Sequence, residues 1–468
     1  MKNKKISVIL IIIGLIISCI YNFIIIEKFD KNFIGSDGFI QHYIIKGDTK
    51  NYFEEANIIK NQLENNKNFF ETGSEYKLSF LYPRLLALFF YSTNEKIKKK
   101  SNETDFFDVF NINNKKLVFL FLQSIFYYFC VFIFYKKVNK KINLKLLNVL
   151  IFFLCFEPTI LQFHSHFLTE SIYLGFLVLL LSFLIDFKND YKQHIFIGIV
   201  IGIMYLQRTV ALFLIFPIIV YYFIYLKRFN ILFKSIFLII IGQIIILIFL
   251  GYCNYQRSGI FYTTPHQAKH IMWYYLTDNI VSASSKNNIS YEKTIRLKDE
   301  KQWIKDNNIN TNYEKDRLKL YNYHQKYIFK TFKDHPFESL RIISWKTLQS
   351  SILDPGMVYS LIKSDYSKQK YWEDGFFNIK EKIIYSFFIY ILSIIGIFYF
   401  LKKKDYLIPS LLIMFGLYHI IILGWAGASR YSVPSVICIS FLFAQGIIFV
   451  ISYFQKKVIH SKFSNKDK

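Results

Sequence analysis

Asp48 opens the stretch Asp48-Thr49-Lys50-Asn51-Tyr52-Phe53-Glu54-Glu55-Ala56, where a carboxylate is followed at helical spacing by a tyrosine and an alanine. A single acid so placed can accept the proton of an attacking hydroxyl, work that raises rates by about 100- to 10,000-fold. It can equally cap a helix by accepting backbone N–H bonds. Glu157, His164, His166 and Glu170 crowd into residues 157–170, while Arg208 and Arg430 stand alone between apolar runs. An arginine fork matches phosphate oxygens. Arg208 and Arg430, with Lys77 and Arg84 behind them, are therefore candidates to steady a departing phosphate. Tyr52, Glu170, His164, His166 and Tyr431 complete the set of substrate-site candidates. Ionisable groups at the edge of a membrane are costly unless they face water, a partner or a cavity, and plain interfacial solvation is the competing reading for each. His164, His166, Glu170 and Asp48 would also make an oxygen and imidazole set for a divalent metal, which the sequence leaves open. Cys19, Cys130, Cys155, Cys253 and Cys438 have neither metal spacing nor a disulfide framework.

The elements that must position these groups are apolar. Of 468 residues, 53% are hydrophobic and 19% aromatic, and ten runs approach the roughly 20 residues a helix needs to cross a bilayer. They fall at Ile6 to Ile26, Lys116 to Tyr135, Leu146 to Gln162, Leu168 to Phe187, His194 to Leu206, Thr209 to Leu226, Ile231 to Cys253, Lys382 to Leu401, Tyr406 to Leu423 and Ser432 to Phe454. The fold class expected is all-α, a polytopic bundle of about ten transmembrane helices. The pair around Arg208 could instead be halves of one bent or re-entrant segment. With both ends cytosolic, 21 Lys and Arg fall in cytosolic connections and tails and two, Arg208 and Arg430, in short outer turns, as the positive-inside bias requires. Most of the net charge of +25 is thus topology, and no soluble basic domain exists to bind nucleic acid. The opening Met-Lys-Asn-Lys-Lys and its apolar run read as a signal anchor, since no small-x-small cleavage site follows.

Three regions follow: 1–253 with a first outer loop at 27–115, a large and mostly helical outer loop at 254–381, and 382–468 with a cytosolic tail. Amphipathic helices are expected on the outer face. Tyr52, Ala56, Ile59 and Leu63 form one stripe, on a helix expected to lie on the membrane surface. Ile342, Ile343, Trp345 and Leu348 give a second amphipathic stretch, ended at Asp354-Pro355-Gly356. The excess of Lys and Arg over Asp and Glu in the large loop suits an anionic acceptor or a solvated cap.

In order, these signals resemble the GT-C superfamily of membrane glycosyltransferases, particularly the branch of protein O-mannosyltransferases and bacterial aminoarabinose transferases. Asp48, Tyr52 and Ala56 match that branch's Asp-x-x-x-Tyr-x-x-x-Ala, followed by Leu81-Tyr82-Pro83-Arg84-Leu85-Leu86. Thr49 departs from the Glu that many members have there. Glu157-Pro158, Leu168-Thr169-Glu170, Gly198-x-x-x-Gly202 with Leu206-Gln207-Arg208, Asn254-x-x-x-Ser258-Gly259-Ile260-Phe261 and Arg430-Tyr431-Ser432-Val433-Pro434 continue the likeness. The resemblance implies transfer from a polyprenyl-phosphate sugar donor to a lipid, glycan or protein acceptor. The site would lie on the outer face of the cytoplasmic membrane, with Asp48 as base in an inverting displacement. No Gly-rich loop or Asp-x-Asp pair is present to hold a nucleotide sugar. A polysaccharide polymerase or a lipid-linked saccharide flippase of envelope assembly is the alternative, and a flippase would place polar groups near the bilayer midplane.

Overall fold

All ten apolar runs are helical in the computed structural model, which describes residues 2–29, 48–73, 79–93, 114–263 apart from 189 and 227, 272–273, 276–353 apart from 312, and 379–464 apart from 405 and 425–428. No strand occurs among the described residues. The helices of the first region are α1 (Lys2–Phe29), α2 (Asp48–Glu64), α3 (Leu81–Ser92), α4 (Asn114–Val138), α5 (Leu144–Phe156), α6 (Pro158–His164), α7 (Glu170–Ile185), α8 (Tyr191–Gln207), α9 (Ile215–Tyr225) and α10 (Phe229–Ser258). The large loop holds α11 (Thr277–Ser285), α12 (Ile289–Asp306), α13 (Glu314–Asp334) and α14 (Pro336–Ser351). Then come α15 (Ile379–Lys402), α16 (Leu407–Gly424) and α17 (Ser429–Ser464). The protein is membrane-embedded and all-α. Within α1, α4, α10, α15 and α17 lie spans long and apolar enough to cross a bilayer, and the bent pair α5 and α6 makes a sixth. The remaining apolar stretches, around α7, α8, α9 and α16, are shorter.

Around Arg208 the chain breaks: α8 ends at Gln207, Arg208 is extended, and a 3-10 turn over Thr209–Leu214 leads into α9. A bend also falls at Glu157-Pro158, where α5 and α6 meet at 45°. Pro158 has no N–H to give the Leu154 carbonyl, and inside a membrane a freed carbonyl must find another donor. Tyr127 supplies it at 2.8 Å, and Tyr128 does the same for Cys155 at 2.8 Å.

Glycines set the tightest crossings. A Cβ on Gly198 would stand 2.0 Å from the Ile239 carbonyl oxygen, and one on Gly242 2.2 Å from that of Ile195, so α8 and α10 meet backbone to backbone. Gly396 and Gly446 do the same for α15 and α17, at 2.0 and 1.9 Å from the carbonyl oxygens of Leu442 and Leu392. Such approach is how helices associate where lipid supplies no hydrophobic drive. Gly198→Ala is expected to lose about 1–3 kcal/mol through overpacking, read as a lower unfolding midpoint in detergent. Gly416→Ala, whose new Cβ would meet only the Cys438 Cβ at 3.6 Å, should leave the midpoint unchanged.

Helix α2 begins at Asp48 as the pattern predicts, but its stripe does not face lipid. Tyr52, Phe53, Ala56 and Ile59 are buried against α3 and its surroundings, with Phe53 edge-on to Phe167 at 5.0 Å and tilted against Phe90 at 5.5 Å. An apolar stripe fixes which face is covered, not by what.

Candidate functional site

The wall of the site is built by α2 and α3. Tyr52, one turn into α2, packs edge-on to Tyr82 with ring centres 5.1 Å apart. The Tyr82 hydroxyl donates to Gln123 Oε1 at 3.3 Å, and Gln123 Nε2 donates at 2.9 Å to the carbonyls of both His164 and His166. Gln123 on α4 thus clasps the turn between α6 and α7 against the α2–α3 wall. Burial first, then the neighbouring Tyr52 and Glu170, push the Tyr82 phenol well above its usual range. It therefore stays a neutral hydrogen-bonding group at any physiological pH.

Glu170 opens α7 and is fully buried. Arg208, at the end of α8, faces it with Nη1 3.6 Å from Oε1, an ion pair just beyond hydrogen-bond reach. The Arg208 guanidinium also lies 5.7 Å from the centre of the Tyr173 ring. The same junction is tied by Gln207 Nε2 donating to the Thr169 carbonyl at 3.4 Å, and by Thr169 Oγ1 donating to Glu170 Oε2 at 3.2 Å. From Tyr173 the chain of bonds crosses to α16: His419 Nδ1 donates to the Phe415 carbonyl at 2.7 Å, leaving Nε2 to accept from the Tyr173 hydroxyl at 3.0 Å. A buried carboxylate, a guanidinium, a phenol and an imidazole therefore run in series between α7, α8 and α16.

The two groups are linked through Tyr82, whose phenol feels the charge of Glu170. That juxtaposition brings Tyr52, Glu170 and Arg208 into one region, along with the backbone around His164 and His166. The histidine rings themselves are engaged locally. His164 Nδ1 meets Ser171 Oγ at 2.7 Å, and His166 Nδ1 donates to the Gln162 carbonyl at 2.6 Å. No three His, Cys, Asp or Glu side chains gather as a metal-binding group among the described residues. His164, His166 and Glu170 do not gather into one group, and the side chain of Asp48, the fourth of that set, lies outside the described residues.

Other candidates stand apart. Arg84 is buried on α3, where Nη2 donates to the Thr72 carbonyl at 2.7 Å and Nη1 to that of Phe80 at 3.1 Å, with its guanidinium 3.7 Å above the Phe80 ring. These bonds pin the segment after α2 onto α3, a structural task. Glu157 caps α6, accepting from the Ile160 N–H and the Thr159 hydroxyl at 2.8 Å each and from the Tyr385 hydroxyl at 2.5 Å. Lys77 lies outside the described residues. Asp48, Arg430 and Tyr431 are placed only as backbone, Asp48 at the first residue of α2 and the other two in the first turn of α17.

Tyr173, His419, Gln123 and Tyr385 escape the sequence reading. All sit inside apolar runs, where single tyrosines and amides resemble packing residues. The one usable signal is His419, an imidazole inside an apolar helix where a buried polar group needs a partner.

Residues 75–284, just under half of the chain, match the Alg9-like mannosyltransferase family. No curated protein matches the chain. Among solved structures, it is similar to the archaeal oligosaccharyltransferase AglB from Archaeoglobus fulgidus in complex with an inhibitory peptide and a dolichol-phosphate. The TM-score is 0.50 and the identity 13%, over 97% of this chain and 51% of that one. The Archaeoglobus fulgidus oligosaccharyltransferase in complex with Zn and sulfate gives 0.48 and 12%, over 97% and 51%. The chain spans about half the length of these solved structures.

Proposed function

We propose that this chain is a member of the GT-C superfamily of membrane glycosyltransferases and that it moves a sugar from a polyprenyl-phosphate donor to an acceptor hydroxyl on the outer face of the membrane. Mannose is the sugar favoured by the name of the matching family. A lipid-phosphate donor is in keeping with the dolichol-phosphate bound to the similar oligosaccharyltransferase. The acceptor would be a lipid, a glycan or a protein.

The reaction asks for two things. A base takes the proton of the acceptor hydroxyl as its oxygen bonds to sugar C1, and the bond from C1 to the phosphate oxygen breaks with inversion, the electron pair leaving on the phosphate. Asp48 is the base in this reading, and Arg208 balances the charge on the departing phosphate. Arg430, in the first turn of α17, is the second phosphate-binding cation in this reading. Tyr52 and Tyr82 form the wall along which the acceptor lies. An apolar cavity of about 270 Å³ lined by Phe153, Phe156, Phe388 and Phe443 has room for part of the lipid tail.

The observation that most supports the reading is the buried Arg208–Glu170 pair, whose Glu170 acts electrostatically on Tyr82, the ring packed against Tyr52 one turn into the helix that Asp48 begins. Purified chain in lipid vesicles should transfer label from radioactive polyprenyl-phosphate mannose to candidate acceptors and none from the nucleotide sugar alone. Transfer from the nucleotide sugar, or from no polyprenyl-phosphate sugar in the set, overturns it.

A further inference from the structure

Helix α14 leaves one face uncovered. Phe337, Leu340, Trp345 and Leu348 are 82%, 67%, 57% and 58% exposed, and at 3.6 residues per turn they fall on one side of the helix. The opposite side packs against α11, α16 and α17. The approach to α16 is close enough that a Cβ on Gly424 would stand 2.8 Å from both Ser350 Oγ and Thr347 Cα.

The C-terminal end of α14 identifies what covers the open face. The last carbonyls of a helix have no partner within it, and away from water they must be met by protein. Here the Ser350 carbonyl accepts from the Ser432 hydroxyl of α17, and the Ser351 carbonyl from the Tyr390 hydroxyl of α15 at 2.7 Å. The Leu353 N–H, just beyond, donates to Ser386 Oγ at 2.8 Å. At a rise of ~1.5 Å per residue, Ser386 and Tyr390 lie about 6 and 12 Å past Lys382, the last charged residue at that end of α15. The end of α14 is thus plugged into the apolar part of a membrane span. Phe387 and Ile384 beside those anchor points are themselves exposed on α15, the ordinary state of a lipid-facing span.

We propose that α14 tilts into the bilayer, C-terminal end first, and that acyl chains of membrane phospholipid cover its Phe337–Leu348 stripe. Its chemistry fits that partner. Trp345 is of the kind enriched at membrane interfaces. Arg341, the charge on the same side, points toward the helix N-terminus, so its long stem carries the guanidinium up to the headgroups. Lys330 and Lys333, at the end of α13, stand exposed at the shallow end, where anionic headgroups reward them. Arg430 lies two residues before Ser432, so the seating of α14 in lipid also fixes where the first turn of α17 stands.

The unmodified chain, reconstituted in phosphatidylcholine vesicles containing a lipid with a diazirine in mid-chain, tests this by photolabelling and peptide mapping. Adducts are expected on the 337–348 peptide as well as on α15 and α17. Adducts on the spans without any on 337–348 overturn it. A fluorophore at Leu340→Cys or Leu348→Cys, with native cysteines replaced, gives a second reading. Lipid-borne nitroxide should quench both, Leu348→Cys more strongly, and iodide should quench neither. The exposed Lys298→Cys on α12 should show the reverse. Quenching of the stripe by iodide places it in water, and quenching by neither reagent places it against protein. Either result sinks the proposal.

Discussion

Asp48→Asn is expected to lower the initial rate of sugar transfer by at least about 100-fold, the lower bound for removing a positioned base. The substitution separates the two roles open to this residue. Asn caps a helix about as well as Asp, so α2 should keep its start, and the unfolding midpoint in lipid or detergent should not move. Only the capacity to accept a proton is lost. A rate within a few-fold of the parent would remove Asp48 from the chemistry and leave it as the first residue of α2. A fall in both rate and midpoint would mean that the carboxylate is structural.

The second large effect concerns Arg208 and Glu170, whose side chains are 10% and 0% exposed. Removing one member of a buried ion pair costs about 3–5 kcal/mol, because the other charge remains in a poorly solvating site. Arg208→Gln should therefore lower stability sharply and abolish transfer. The double variant Glu170→Gln/Arg208→Gln restores a neutral pair, and most of the stability should return. Activity should not, since loss of a group that balances charge in the transition state costs roughly 100- to 1,000-fold. Unfolding midpoints and transfer rates on the three proteins check this together. A stable single variant would show that the pair carries little energy, and an active double variant would show that Arg208 does not serve the phosphate.

How much of this was legible beforehand differs by kind of feature. Helix positions were readable because long apolar runs permit few other fates, whereas the span count was not: of the ten runs expected to cross, six hold a helix or bent pair long and apolar enough to do so among the described residues. The break at Glu157-Pro158 was half readable: Pro158 at the first position of α6 with an acid before it is a helix-start signature, while the Tyr127 and Tyr128 hydroxyls that make it tolerable are invisible in sequence. The Asn254 to Phe261 motif that looks family-like has a local explanation. Gly259 ends α10 at φ +73°, Asn254 Nδ2 donates to the Tyr262 carbonyl at 2.7 Å, and the Phe261 ring occupies the space where a side chain on Gly251 would stand. The Tyr173–His419 bond joins residues 246 apart in the chain, and no periodicity encodes such a pairing. Amphipathic stripes were found correctly, yet their covering was not, since protein takes that of α2.

The glycine contacts between α8 and α10 and between α15 and α17 also limit how this bundle can move. Two backbones already at van der Waals distance cannot slide past each other by a residue without first separating, and separation would expose carbonyls to hydrocarbon. Each pair therefore behaves as one stiff beam. Any opening of the bundle from the side would then part the seams between beams before it parts the beams themselves.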